Sequence, residues 1–522
     1  MMNITPITLE VFKNKFASVA EEMGVALTRT AYSPNIKERR DFSCAVFDAG
    51  GDMVAQAAHI PVHLGSMPLS VRAAIDAVDM GPGDMVMLND PFKGGTHLPD
   101  ITLVAPVYAG GDTPLFYVAS RAHHADVGGM AAGSMPLSTS IFQEGLVIPP
   151  VRIVSGGEIV PGVMALFLAN VRTPVERQGD FAAQIMANRT GVARMEALIA
   201  AHGRDAVTRL GQALLDYAQR LMAAAITAIP DGSYTASDAL DDDGAGSGEV
   251  TVRLTLTIEG DAAELDFRAS DPQTAGCINA VRAIAVSAAL YVFRALAGEA
   301  VPANAGCLRP LAIITKPGTV VDARFPAAVA GGNVETSQRI VDVILRALAL
   351  ALPDRLPAAS QGTMNNLAMG GIDARTGAAF TYYETLAGGA GADATGPGQS
   401  GVHSHMTNTL NTPIEALEYA YPLRVTRYAL RRGSGGPGEH CGGEGLVREL
   451  EALAPMEATV LSDRRLRGPW GLAGGGEGAP GVNVLTRRTG EMAMPGKFHV
   501  HLRPGDRLRI ETPGGGGYGS SG

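Results

Sequence analysis

The clearest periodic pattern in this chain lies near its N-terminus. Leu9, Phe12, Phe16, Val19, Met23 and Leu27 recur at spacings of three and four, which puts them on one stripe of an α-helix. Thr5 stands where an N-cap is needed, and Pro6 takes the first helical position. A polar stretch from Ser33 to Asp41 follows. Residues 43–48 and 53–57 then read as a hairpin around Ala49-Gly50-Gly51-Asp52. A short helix over 69–78 stops at Gly81-Pro82-Gly83, and 84–89 is a strand. Two apolar runs come next, 101–108 and 115–122, rich in β-branched and aromatic residues. Ala109-Gly110-Gly111-Asp112-Thr113-Pro114 separates them as a turn, so the pair predicts an antiparallel hairpin. With Tyr108 pairing near Leu115, Asp100 falls across from His123.

Residues 174–229 are helical in pattern, with a break at His202-Gly203. A β-rich stretch begins near Gly232 and includes a hairpin of 250–258 with 262–267. Helical patterns return at 280–296 and 336–352. Residues 362–401 are rich in glycine, and beyond Gly433 short strands alternate with glycine. These patterns predict an α+β fold, a mixed α/β subunit with a β-rich C-terminal part. At 522 residues the chain exceeds one ordinary core. Three regions are expected: 1–230, a metal-site region with a helical second half; 231–432, mixed α/β; and 433–522, β-rich.

Composition narrows the function classes. The net charge of −10 argues against a nucleic-acid surface. No apolar run approaches the length of a transmembrane helix, so no membrane association is expected. The N-terminus lacks a basic-then-apolar signal pattern, and Cys44, Cys277, Cys307 and Cys441 show no CxxC spacing. A cytoplasmic location is the expectation. Gly accounts for 65 of 522 residues, well above the usual share of about 7%, which implies many tight turns and close backbone contacts.

The chemistry gathers around the central hairpin. His97-Leu98-Pro99-Asp100 and His123-His124-Ala125-Asp126 flank its open end. Imidazole nitrogens and a carboxylate with open positions make a site for Zn, Mn or Fe(II). The competing reading is a turn in which His97 caps a backbone group. Asp41 is a candidate fourth ligand. It follows Arg39 and Arg40, and from the residues alone an ion pair with one of them is the favoured reading. His124 and Asp126 are candidate catalytic groups, as a proton shuttle or as hydrogen-bonded support behind the ligands. His59 and His63 are four apart, but the intervening Pro61 argues against a regular helix face. The segment 331–337, GGNVETS, precedes a helix. It offers Asn333 and Glu335 as substrate contacts, with helix capping by Asn333 or Thr336 as an equal alternative. His403, two residues from His405, is a third candidate substrate contact. No GxxxxGK[ST] nucleotide loop is present, so any ATP chemistry needs another chain.

The segments NDPFKGGTHLPDITL, SRAHHADVGG, GGNVETSQRIVDVIL, SGVHSHMTNTLNTPIE and RRGSGGPGEHCGGEG resemble the hydantoinase B/oxoprolinase family, in order and over the whole chain. The resemblance implies the metal-bearing subunit of an ATP-dependent cyclic-amide hydrolase acting on a hydantoin or lactam. A hydantoinase A-type subunit would bind ATP and phosphorylate the substrate, in an α2β2 heterotetramer. Water on a divalent ion (Mn, Zn or Fe) would then attack the activated amide carbon. Carried over by motif, the ligands fall on His97, Asp100 and His123, with Asp41 matching the carboxylate of an ERxDFS-like segment; this raises Asp41 above the ion-pair reading. Alternatives are a subunit of an ATP-dependent ketone carboxylase and a non-catalytic scaffold subunit.

Overall fold

In the computed structural model, which describes residues 4–57 and 60–520, the N-terminal stripe forms helix α1, Pro6–Thr30. Its start is a reciprocal cap. The Thr8 backbone N–H donates to Thr5 Oγ1 at 3.2 Å, and the Thr5 N–H donates to Thr8 Oγ1 at 2.6 Å. Phe12, Phe16, Val19, Met23 and Leu27 are all buried. A short helix, α2 (Pro34–Lys37), follows and leads to a seven-stranded antiparallel sheet.

The strands of that sheet are β1 (Phe42–Asp48), β2 (Met53–Gln56), β3 (Met85–Leu88), β4 (Asp100–Val107), β5 (Phe116–His123), β6 (Val151–Ser155) and β7 (Glu158–Ile159). Their order is β2-β1-β5-β4-β3-β6-β7. Every residue of β4 and β5 is buried, because both sheet faces are covered. Helix α3 (Met67–Ala77) packs Met67, Val71 and Ala74 on one face, against Val86, Val104 and Ala119. Helix α4 (Pro161–Leu168) leads to the long pair α5 (Pro174–His202) and α6 (Arg204–Thr227), broken at Gly203 as the pattern predicts. Helix α5 lies on β4 and β5 and on α1. The β4–β5 register pairs Val107 with Phe116 and Asp100 with His123, the register expected from the turn length.

Beyond residue 230 lie three smaller sheets. The first holds β8 (Gly232–Leu240), β9 (Val250–Glu259), β10 (Ala262–Asp266) and β11 (Leu311–Ile314), with β10 and β11 parallel. Helices α7 (Arg282–Ala297) and α8 (Ser337–Ala351) pack together, and α8 covers β8 and β9. The remaining strands are β12 (Asn366–Ile372), β13 (Ala379–Glu384), β14 (Leu423–Arg431), β15 (Gly445–Ala452), β16 (Met456–Leu461), β17 (Val482–Arg487), β18 (Gly490–Met494), β19 (Lys497–Leu502) and β20 (Arg507–Glu511). They form sheets ordered β13-β12-β16-β19 and β14-β15-β20-β17-β18, with a short helix, α9 (Ile414–Ala420), before β14. Both sheets join strands from either side of residue 433. The fold is α+β. Among the described residues no helix is long and apolar enough to cross a membrane. The glycine content is used where backbone meets backbone: a Cβ on Gly515 would lie 1.9 Å from the Ala390 carbonyl oxygen.

A buried ionic network ties the C-terminal sheets to α8. Arg339 reaches Asp342 at 2.8 Å, Asp463 at 3.0 Å and Asp238 at 3.2 Å, and Lys497 reaches Asp463 at 3.0 Å. Removing one partner of such a cluster leaves the others buried and uncompensated. Arg339→Met is therefore expected to lower stability by about 3–5 kcal/mol. Denaturant unfolding checks this, and a loss below about 1 kcal/mol contradicts it.

Candidate metal centre

The approach to His97 is set by local chemistry. Asp90 Oδ1 accepts the Phe92 N–H at 2.9 Å, capping a single 3-10 turn, Pro91–Lys93. Gly94 follows at φ +87°, where a Cβ would sit 2.4 Å from the Leu69 carbonyl carbon; only glycine fits. The Asn89 side chain spans the loop base, donating to the Leu98 carbonyl at 2.8 Å and accepting the Ile148 N–H at 2.6 Å. Asp100 opens β4 and His123 closes β5, directly opposite each other. His97 Nε2 lies 3.3 Å from Asp100 Oδ2, and His123 Nδ1 lies 3.6 Å from Asp100 Oδ1. All three residues are buried.

Asp41 stands just before β1. Its carbonyl accepts the His123 N–H at 3.0 Å, while Asn35 Nδ2 donates to the His123 carbonyl at 2.6 Å. Its carboxylate lies 3.8 Å from Arg39 Nη1, so the ion pair weighed from the sequence is present. Arg39 is also committed elsewhere, to Thr385, Thr409 and the Tyr383 carbonyl. Asp41, His63, Asp100, His123, Asn333 and Tyr383 line one cavity of about 20 Å³, room for one ion or one water molecule.

Sequence reasoning missed several of these groups. His63 ends a 3-10 turn, Pro61–His63, with Nδ1 2.9 Å from Ser43 Oγ and Nε2 3.3 Å from Asp100 Oδ2. Pro61 starts that turn instead of breaking a helix; His59 lies outside the described residues. Thr96 Oγ1 donates to Asp100 Oδ2 at 2.5 Å. The Tyr383 ring stacks on His123 at 4.3 Å and 14°. No local spacing signals Tyr383, because it arrives on β13.

The substrate candidates separate. Asn333 Nδ2 lies 3.1 Å from His97 Nε2, inside the cluster. Glu335 sits behind it, taking hydrogen bonds from the Met364 N–H at 3.1 Å and Asn366 Nδ2 at 3.0 Å, while Tyr383 donates to Asn366 Oδ1 at 2.7 Å. His403 Nε2 lies 3.4 Å from Asn411 Oδ1 and is not among the cavity-lining residues. The structure also keeps His124 and Asp126 away from the cluster. His124 Nε2 lies 2.9 Å from Gln184 Oε1, with its ring against Phe181. Asp126 accepts the Arg172 N–H at 2.5 Å and Arg172 Nη1 at 2.8 Å. Residues 123 and 124 leave the chain on opposite sides, as successive residues of an extended strand do.

Burial opposes ionisation of Asp100, but His97 and His63 beside it hold its carboxyl well below the usual carboxylate range. Burial pushes the His123 imidazole down, an effect that Asp100 and Asp41 only partly offset. Burial, and then the charge of Arg177, push His124 down to about 4. A histidine that titrates near 6.5 when unfolded and near 4 when folded stabilises the fold above pH 6.5. That contribution is lost as pH falls through about 4. Melting temperature should therefore drop between pH 6.5 and 4, and His124→Leu should flatten the slope. An unchanged slope in that variant contradicts the assignment.

The donors suit a first-row divalent cation. At metal–ligand distances near 2.1 Å, neighbouring ligand atoms sit roughly 3–3.5 Å apart; Asp100 lies 3.3 Å from His97 and 3.6 Å from His123. The nitrogens nearest Asp100 are His97 Nε2 and His123 Nδ1; the other ring nitrogens, His97 Nδ1 and His123 Nε2, are buried and lack a hydrogen-bond partner. His97, Asp100 and His123 each present a ligand atom within 4.8 Å of the others.

Known proteins share this chain's sequence pattern and fold. The family model for hydantoinase B/oxoprolinase matches residues 5–521. 5-Oxoprolinase 1 of Arabidopsis thaliana is 39% identical over 99% of this chain, which spans 42% of that protein's length. The B component of a putative D-/L-hydantoinase of a Pseudomonas species is 30% identical, covering 100% of this chain and 91% of its own length. The crystal structure of the ATP-dependent caprolactamase from Pseudomonas jessenii superposes with a TM-score of 0.91 at 29% identity, over 99% of this chain and 92% of that one. The chain belongs to the hydantoinase B/oxoprolinase family.

Proposed function

We propose that this chain is the metal-bearing subunit of an ATP-dependent cyclic-amide hydrolase. The observation that carries the reading is the buried His97–Asp100–His123 cluster, built across the Asp100–His123 strand pair in a chain of this family. His97, Asp100 and His123 would hold a divalent ion (Mn, Zn or Fe), with Asp41 as a fourth donor. When bound, such an ion lowers the pKa of water and polarises a substrate oxygen.

The chain's own residues prepare that chemistry. Thr96 and His63 fix Asp100 Oδ2, so the carboxylate presents a set geometry and stays ionised. Tyr383 holds the plane of His123 from one side. Asn333 stands beside His97, placed to meet a substrate oxygen, and the Glu335–Asn366–Tyr383 hydrogen bonds brace that side of the centre. His403, half-buried, is the most exposed of the three proposed substrate contacts and is pushed down to about 4 by burial. His124 and Asp126 support the end of β5 from behind in this reading and do not exchange protons with substrate. An unstrained amide is a poor electrophile, so the reading needs prior phosphorylation of its oxygen by an ATP-binding partner, in an α2β2 assembly.

The test is to purify the chain with its partner and screen hydantoins, lactams and ketones for substrate-dependent ATP turnover. A cyclic amide should support it, and the isolated chain should hydrolyse no ATP. Turnover with a ketone and bicarbonate alone would replace this reading with a carboxylase. Robust ATP hydrolysis by the isolated chain would refute the division of labour.

A further inference from the structure

A second group of metal-ligand side chains lies outside the centre, on the sheet that contains β12, β13, β16 and β19. Glu457 on β16 pairs directly with His501 on β19, and Thr459 pairs with His499. Alternation puts His499 and His501 on one face of β19, and the strand pairing brings Glu457 to the same face. Glu457, His499 and His501 each offer a ligand atom within 4.8 Å of the others. His499 Nε2 lies 3.8 Å from Glu457 Oε2, and the two imidazole rings lie 5.2 Å apart, edge to face.

Two of the three side chains are already oriented by other groups. His499 Nδ1 sits 2.9 Å from Thr459 Oγ1. The Thr459 hydroxyl can accept Nδ1–H there, the tautomer that leaves the Nε2 lone pair free for an ion beside Glu457. Glu457 Oε1 accepts the Ala132 N–H at 2.6 Å, which leaves Oε2 for another partner. Both histidines are exposed and Glu457 is half-buried, so an ion has a path from solvent. Glu457 and His501 also line an open groove of about 700 Å³ with Arg172, Met456 and Arg503.

We propose that Glu457, His499 and His501 form a second, surface site for a borderline divalent cation of the Zn²⁺ type, with remaining coordination open to water. Two imidazoles and one carboxylate are the donor set such ions prefer over Mg²⁺ or Ca²⁺. Occupied, the ion would join β16 to β19 and, through Glu457, hold the Ala132 segment that follows His123.

The full chain, freed of metal by chelator dialysis, is titrated with Zn²⁺ by calorimetry. The wild type is expected to bind one equivalent more than the His499→Gln/His501→Gln variant, whatever the occupancy of the buried centre. Glu457→Gln should weaken that equivalent by at least about tenfold. Because the histidines are exposed, the double variant should melt within about 2 °C of the wild type, which makes the stoichiometries comparable. As an arm that needs no change at this site, His123→Ala should retain the His499/His501-dependent equivalent. Identical stoichiometry in wild type and double variant, or a Glu457→Gln affinity equal to wild type, overturns the site.

Discussion

His123→Ala is expected to empty the buried centre, with the affinity of that centre for a divalent ion reduced by at least about 100-fold. Orienting partners of metal ligands typically contribute 10–100-fold each, so loss of a ligand itself should cost no less. The protein should still fold. His123 is held in the sheet by backbone groups, its N–H on the Asp41 carbonyl and its carbonyl on Asn35 Nδ2, and these do not depend on the imidazole. The stacked Tyr383 loses one ring face but keeps its bond to Asn366. Elemental analysis together with circular dichroism checks both halves of the expectation. Full metal retention in a folded variant would sink the His97–Asp100–His123 centre.

The second expectation separates the two half-reactions. Asp100→Asn keeps the side-chain size but removes the charge that three imidazoles surround. Its amide oxygen still accepts the Thr96 hydroxyl, so the strand pairing and the complex with the partner should persist. Ring-opened product should fall by at least about 100-fold, the loss expected when roughly 3 kcal/mol of transition-state stabilisation goes. Substrate-dependent ATP use should fall much less, because under the proposed division of labour phosphorylation would take place on the partner and the intermediate would then decay unproductively. Parallel assays of ATP and product measure the ratio. Near-normal product from a complex whose buried centre is confirmed to be empty refutes the proposed role of this centre.

Both expectations depend on a strand register that is legible in the amino-acid sequence. The turn 109–114 and the two apolar runs put Asp100 opposite His123 by counting alone, and the fold has that pair. The same is true of α1, whose cap and stripe are local, and of the break at Gly203. Fold class follows from such local patterns. How the chain divides into packed units does not. The glycine-rich change in composition near residue 433 marks loops in which backbone packs on backbone, while strand pairing ignores it: β12 and β13 from before that point share a sheet with β16 and β19 from after it.

Whatever depends on neighbours along the chain is legible in its residues: caps, helical stripes, turn length and the register of a hairpin. Those alone bring Asp100 and His123 together, with His97 on the glycine-bounded approach that Gly94 requires. Everything that arrives from a distance emerges with long-range packing. His63 reaches Asp100 from a turn that Pro61 begins, Asn333 reaches His97 from the segment before α8, and Tyr383 covers His123 from another sheet. Long-range packing carries no periodic signature, so none of these contacts is written in local spacing. His124 and Asp126 show the same divide: proximity in sequence suggested a shared site, but β5 ends at His123 and the side chains beyond it reach Gln184 and Arg172 instead.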